Sequence, residues 1–171
     1  MEINAESISR IISQVVAEQG ACGGACTPSG APIYQRTLSL GANGFLRDSI
    51  GERKKDPSGI IGIKTRSVEL EAFSGRNDVY LKDITTLQEA PRMGCGIMEL
   101  RDGASFDWTL SYDEYDIVLE GTLNINIDGR IIPGEVGDVI YIPKGSHIHF
   151  ETPRYCKYVY TTYPADWQTQ K

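Results

Sequence analysis

The chain has 171 residues, 40% of them hydrophobic and 23% charged, with a formal net charge of -6, which is enough apolar material for one domain of ordinary size plus an extension. The acidic balance argues against a ligand held by its phosphate backbone, so nucleic acid is not expected as a partner. There is no apolar run of about 18 residues for a membrane span, and Met1-Glu-Ile-Asn lacks the basic start and apolar core of a secretory signal, so a cytoplasmic protein is expected.

Residues 3 to 19 carry a helical pattern. Ile8, Ile11, Ile12, Val15 and Val16 form one apolar stripe, Asn4 can cap the start, and Gly20 can end the helix. Such a stripe packs either on its own domain or on a partner. Residues 20 to 32 are rich in Gly, Ala, Ser and Pro, the composition of a flexible tether. Cys22 and Cys26 could form half of a zinc site, but Cys95 and Cys156 supply no second pair, so ordinary thiols are expected.

Residues 33 to 60 have mixed charges and little periodicity, which predicts loop and partial helix, either a solvated linker or a contact segment. Ser58 to Lys64 lacks the spacing of a phosphate loop. From Ile63 onward the pattern turns to short strands, around 68–73, 79–84 and 93–100, then a dense series between Gly103 and Phe150. Regular spacing with turns between predicts a barrel or sandwich. Domains are therefore set at 1–62 (helix, tether, charged loop) and 63–171 (barrel). Leu123 to Ile127 alternates apolar and polar, and Asp128-Gly129 favours a type I′ turn, so a hairpin back onto Arg130 to Ile132 is expected.

Glu114 followed by Gly121, and Gly137 followed by Pro143 and Gly145, resemble the two signature motifs of the cupin superfamily. That resemblance implies an all-β jelly-roll barrel, here preceded by an amphipathic helix and flexible linker. It also implies a triad of metal-binding histidines, and the positions do not supply one: they fall on Trp108 and Leu110, or on Thr109 and Ser111 with the other count, and on Ile148 between His147 and His149. A shift of one residue turns a strand side chain to the opposite face, so neither histidine replaces the missing ligand, and no transition-metal site is expected.

In cupins the glutamate of the first motif faces the cavity. On that reading Glu114 and Asp116, with Glu120 as a possible third, line a pocket. From alternation alone the favoured reading is instead the wet face of an exposed strand. Phe106, Trp108 and Tyr112 just upstream could form its apolar wall, or plain core. Tyr141, Tyr158 and Tyr160 are either pocket hydroxyls or barrel packing, with packing favoured, and Lys144 is a solvated corner cation unless a phosphate approaches it.

A closer resemblance runs over most of residues 63 to 167. Asp107 to Gly121, Ile142-Pro-Lys-Gly-Ser146 and Thr162-Tyr-Pro-Ala-Asp-Trp167 are similar to the EutQ family of ethanolamine-utilisation proteins. This resemblance implies a cupin without the metal triad, association with a bacterial microcompartment, and acetate kinase activity, ATP and acetate giving ADP and acetyl phosphate reversibly. It thereby implies acetate and nucleotide as ligands, ATP with Mg²⁺ as cofactor, and a homodimer. The helix and tether resemble encapsulation peptides, which implies shell proteins as partners for residues 3–19. On these implications Glu114, Asp116 and Lys144 are the candidate catalytic residues. Glu114 and Asp116, two apart on one strand face, are the candidate Mg²⁺ ligands, and Trp108, Tyr112, Tyr141 and Tyr160 are the candidate pocket. The alternative is a non-catalytic cupin that assembles on the shell or senses a ligand.

Overall fold

The computed structural model describes residues 43–170. The helix, the tether, and Cys22 and Cys26 lie outside them. Thirteen strands make three antiparallel sheets. The first sheet is small and contains β1 (Leu46–Arg47), β2 (Glu52–Lys55) and β3 (Ile61–Ile63), in that order. The barrel is made of the other two. One contains β7 (Ser105–Thr109), β9 (Leu123–Ile127), β10 (Arg130–Gly134) and β12 (His147–Glu151), in the order β10-β9-β12-β7. The second contains β4 (Glu71–Ala72), β5 (Val79–Asp83), β6 (Gly94–Arg101), β8 (Asp113–Gly121), β11 (Val139–Ile142) and β13 (Tyr155–Tyr163), in the order β11-β8-β13-β6-β5-β4.

The inner faces of these two sheets share one core. Leu123, Ile125, Ile148 and Phe150 from the four-stranded sheet meet Leu100, Val118 and Tyr158 from the six-stranded one. Crossovers between non-consecutive strands in both sheets (β9 to β12, β12 to β7, β11 to β8, β8 to β13, β13 to β6) give the jelly-roll (cupin) barrel that the sequence predicts. The expected hairpin forms as read: Arg130 pairs with Ile127, and Asp128 and Gly129 both have positive φ, the requirement of a type I′ turn.

Two local expectations are corrected. The stretch 68–73 pairs with β5 over only Glu71 and Ala72, because a 3₁₀ turn at Thr65–Ser67 precedes it and another at Phe73–Gly75, with Ser74 at positive φ, ends it. The charged segment, as far as it is described, is sheet rather than loop and partial helix. Asp48 closes its hairpin by accepting hydrogen bonds from the Ile50 and Gly51 backbone, at 2.9 and 3.2 Å. Arg53 is 5% exposed. It donates to Asp48, to Glu89 and to the Ile84 carbonyl. Burial alone would push both acids up, but the hydrogen bonds they accept outweigh it: Arg53 and the turn backbone hold Asp48 at about 2, and Lys55, the Thr86 backbone and Arg53 do the same for Glu89.

Ile50 and Ile63 then cover Ile84, Ile97 and Val159 on the outer face of the six-stranded sheet. This explains why β6 is buried at nearly every position instead of alternating: both of its faces are covered. The expected boundary between residues 62 and 63 falls inside β3. Among the described residues, no helix is long and apolar enough to cross a membrane.

Candidate functional site

Strand β8 reverses the usual arrangement of polar and apolar residues. Tyr115 and Ile117, its apolar side chains, face outward with Tyr141 and Val139 of β11 beside them, and Tyr115 and Tyr141 lie with ring centroids 4.9 Å apart. Glu114 and Asp116 face inward. They are 5% and 0% exposed, so they are not the wet face of a strand. Glu120 is exposed and does not join them.

Glu114 lines a cavity whose other walls include Phe73, Trp108, Tyr112, Tyr160 and Trp167. The rings interlock. Phe73 meets Trp108 at 5.6 Å, Trp167 meets Tyr112 at 5.7 Å and Tyr160 at 6.0 Å, and Trp108 Nε1 donates to the Tyr112 hydroxyl at 2.9 Å. The interior leaves about 10 Å³ for the centre of a water-sized molecule, room for about one water. Outside the same rings is an open groove of about 560 Å³, with Ser74, Thr109, Ser111, Gln168 and Gln170 along it. Phe73, Trp108, Tyr112 and Trp167 are common to both spaces and form the partition between them.

Asp116 sits deeper than Glu114, and among the described residues the Glu114 carboxyl is the one group placed to share a proton with its oxygens, which no other donor reaches. Burial raises Glu114 to about 8. Burial, and then the Glu114 carboxyl beside it, raise Asp116 well above the ordinary carboxylate range. At neutral pH the pair therefore retains protons that exposed carboxyls would have lost. A third acid, Asp83 at the end of β5, accepts hydrogen bonds from the Tyr160 hydroxyl (2.7 Å), Trp167 Nε1 (3.2 Å) and Gln168 (3.1 Å). All three of these donors are neutral.

The structure thus brings Glu114, Asp116, Trp108, Tyr112 and Tyr160 together. Tyr141 and Lys144 do not join them. Tyr141 is 50% exposed on the outer face and donates to Asp113 at 2.9 Å. Register places it there, since it pairs with outward-facing Tyr115. Lys144 is exposed at the corner, where its backbone N–H also reaches Asp113.

The two carboxyls do not suit Mg²⁺ as the cavity stands. That ion asks for a near-octahedral set of oxygens and keeps several waters, whereas the walls are rings and the space admits about one water. Among the described residues, no group of three or more His, Cys, Asp or Glu could hold a metal ion. Leu110 and Ile148, at the expected triad positions, are packed in the core, and His147 and His149 are exposed on the opposite face of β12 from Ile148.

Phe73, Asp83 and Trp167 complete the site and were not among the sequence candidates. Asp83 and Trp167 are 84 residues apart in the chain and meet only through the sheet order.

Residues 38–169 match the family model for ethanolamine utilisation protein EutQ. The chain is 49% identical over 124 residues to a Clostridioides difficile protein named acetate kinase EutQ, covering 69% of this chain and 78% of that one. The solved structure of the C. difficile EutQ protein superposes with a TM-score of 0.66 over 71% of this chain and 92% of that one. A Salmonella typhimurium protein of the same name is 42% identical over 113 residues; the match spans 65% of this chain but only 49% of that longer relative. The cupin domain of Schizosaccharomyces pombe Cnp3 shares the fold, with a TM-score of 0.52 at 15% identity over 63% of this chain and 76% of that one. With 132 residues (169 − 38 + 1) inside the family match, the chain belongs to the EutQ family of ethanolamine-utilisation proteins.

Proposed function

We propose that the chain is an acetate kinase of ethanolamine utilisation, transferring a phosphoryl group between ATP and acetate. The observation that carries this reading is the 49% identity to the C. difficile protein of that name. Acetate is already a carboxylate at neutral pH and needs no general base. One of its oxygens attacks the γ-phosphorus, the bond from that phosphorus to the β-phosphate oxygen breaks, and ADP departs with the electron pair. The cavity is too small for a nucleotide, so the reading assigns both substrates to the groove outside the ring partition, whose volume falls in the usual range for small-molecule sites. Its hydroxyl and amide side chains can donate hydrogen bonds to phosphate oxygens.

One observation favours a second reading, a ligand-binding module without transfer: among the described residues, neither lysine nor arginine lines the groove, and phosphoryl transfer ordinarily uses fixed positive charge. The deciding assay incubates protein from a host lacking other acetate kinases with Mg-ATP and acetate and traps acetyl phosphate as its hydroxamate. Turnover that is abolished by Ser111→Trp, which fills the groove, supports the kinase. No turnover, or turnover unchanged by the plug, gives the second reading first place.

A further inference from the structure

We propose that the inner, ring-walled cavity receives the head group of a small primary ammonium compound, with Glu114 as its counter-charge. This site is separate from the groove and stands whether or not phosphoryl transfer takes place there.

The charge balance comes first. Glu114 lines the small apolar space, Asp116 lies buried behind it, and Asp83 is tied to two of the lining rings, Tyr160 and Trp167; none of the ion pairs among the described residues involves any of the three. The titratable groups bearing on the pair are Tyr112 ahead of β8 and Cys156, Tyr158 and Tyr160 from β13, while Asp83 of β5 holds two of the surrounding rings, Tyr160 and Trp167. Every one is an acid, neutral or negative, so the described residues supply no cation. A carboxylate or phosphate entering here would add like charge. An ammonium would supply the charge that is missing.

Shape and surface agree with charge. An ammonium head is about the size of the one water the cavity admits, whereas a carboxylate is larger. Trp108, Trp167, Tyr112 and Phe73 present ring surface around that space, and aromatic faces attract cations most strongly where water is excluded. The short chain behind the head would pass between these rings toward the groove, which begins on their other side.

Binding has a proton signature. The pair keeps a proton at neutral pH when the cavity lacks a cation; an arriving R–NH₃⁺ stabilises the carboxylate, and that proton passes to solvent. The amine keeps its own three protons, so the balance is one ammonium bound and up to one H⁺ released. A neutral or anionic ligand gives no such release.

The test is titration calorimetry at pH 7 with ethanolamine as probe, repeated in two buffers of different ionisation enthalpy. Ethylene glycol serves as the uncharged analogue and acetate as the anion. With four heavy atoms, ethanolamine is limited to a Kd of about 10–100 μM at best, so saturation is expected below ~10 mM. Ethylene glycol and acetate should bind at least about tenfold more weakly, and the ethanolamine heat should change with buffer in the direction of proton release. Glu114→Gln, nearly isosteric, should weaken ethanolamine at least about tenfold. Trp108→Leu, which keeps the wall apolar but removes the ring, should weaken it about threefold or more. A thermal melt accompanies each variant, and if Glu114→Gln does not fold, Trp108→Leu decides. No saturation by ~10 mM, equal binding of ethylene glycol, tighter binding of acetate, or full affinity in a folded Glu114→Gln or Trp108→Leu protein would overturn the proposal. The acetyl phosphate assay is read on the natural chain and on Ser111→Trp, not on these variants, so failure here and failure of the kinase reading are told apart.

Discussion

The buried acid pair makes the fold sensitive to alkali, and the size of the effect can be worked out. Glu114 stands at about 8 in the folded chain against 4.5 ordinarily, because it is buried. A carboxyl raised on folding binds its proton more tightly in the native state. Its contribution to stability is fully present below about 4.5 and is lost as pH rises through 8. At about 1.4 kcal/mol per pH unit the ceiling is roughly 5 kcal/mol, and roughly half of that is lost between pH 6 and 9, flattening above 8. For a fold of about 130 residues this lowers the melting temperature by roughly 10 °C. Asp48 and Glu89, held at about 2, finish titrating well below this window and do not contribute to the slope. The assay is a melt by circular dichroism at half-unit steps from pH 6 to 9, on the natural chain and on the Glu114→Gln, Asp116→Asn double variant. The natural chain should lose stability steadily and the double variant should not. A natural chain whose melting point stays constant within about 2 °C, or a double variant with the same slope, would refute the reasoning.

Four other outcomes follow from the packing. Arg53→Met leaves Asp48 and Glu89 facing a buried gap without their cation and should cost about 3 kcal/mol in urea unfolding; a change under 0.5 kcal/mol would mean the cluster is looser than its geometry. Below pH 4 the natural chain should weaken as these two depressed carboxyls protonate, since their contribution is present above their ordinary range and lost toward 2; a melting point that is the same at pH 5 and 3 contradicts this. A chain beginning at residue 43 should melt cooperatively, whereas one beginning at 63 should be aggregated or lose most of its stability, because Ile84, Ile97 and Val159 lose their cover; equal melts would show that the small sheet is dispensable. Gly96→Ala places a Cβ about 2.0 Å from the Tyr160 ring and should cost about 1–3 kcal/mol through forced repacking, read as a lower urea midpoint with unchanged slope; an unshifted midpoint would count against the close approach.

Period and turn chemistry made much of the barrel legible. The type I′ hairpin, and the placement of Glu114 and Asp116 on one face, followed from spacing alone. Which face that was did not follow, because β8 turns its tyrosine and isoleucine to the outside and its acids to the inside, opposite to what burial of apolar area favours. Only the motif resemblance pointed inward. Such conflicts between local pattern and global fold concentrate at functional sites. Tyr141 was misplaced for a related reason: its face depends on pairing with Tyr115 across the sheet, and register between strands is not written in either strand separately. Residues 43 to 60 were read as solvated or contact-forming because they are charged, yet Arg53 is buried between Asp48 and Glu89, with Lys55 completing the charge balance at Glu89. Phe73, Asp83 and Trp167 were missed because each belongs to a different stretch of chain and carries no signal until the sheets close.

The hydrogen bond from Trp108 to Tyr112 has a consequence for timing. It joins two of the rings shared by groove and cavity, so a ligand that approaches Glu114 from the groove should need that bond to open and at least one ring to turn. Packed aromatic side chains move far more slowly than exposed ones. Entry should therefore be limited by this opening rather than by diffusion, with an association rate below the usual 10⁵–10⁷ M⁻¹s⁻¹, and departure should be slowed in the same proportion. A ligand of modest affinity would then give separate free and bound signals for the Trp108 indole in a nuclear magnetic resonance titration, where an open site of the same affinity would show one averaged peak.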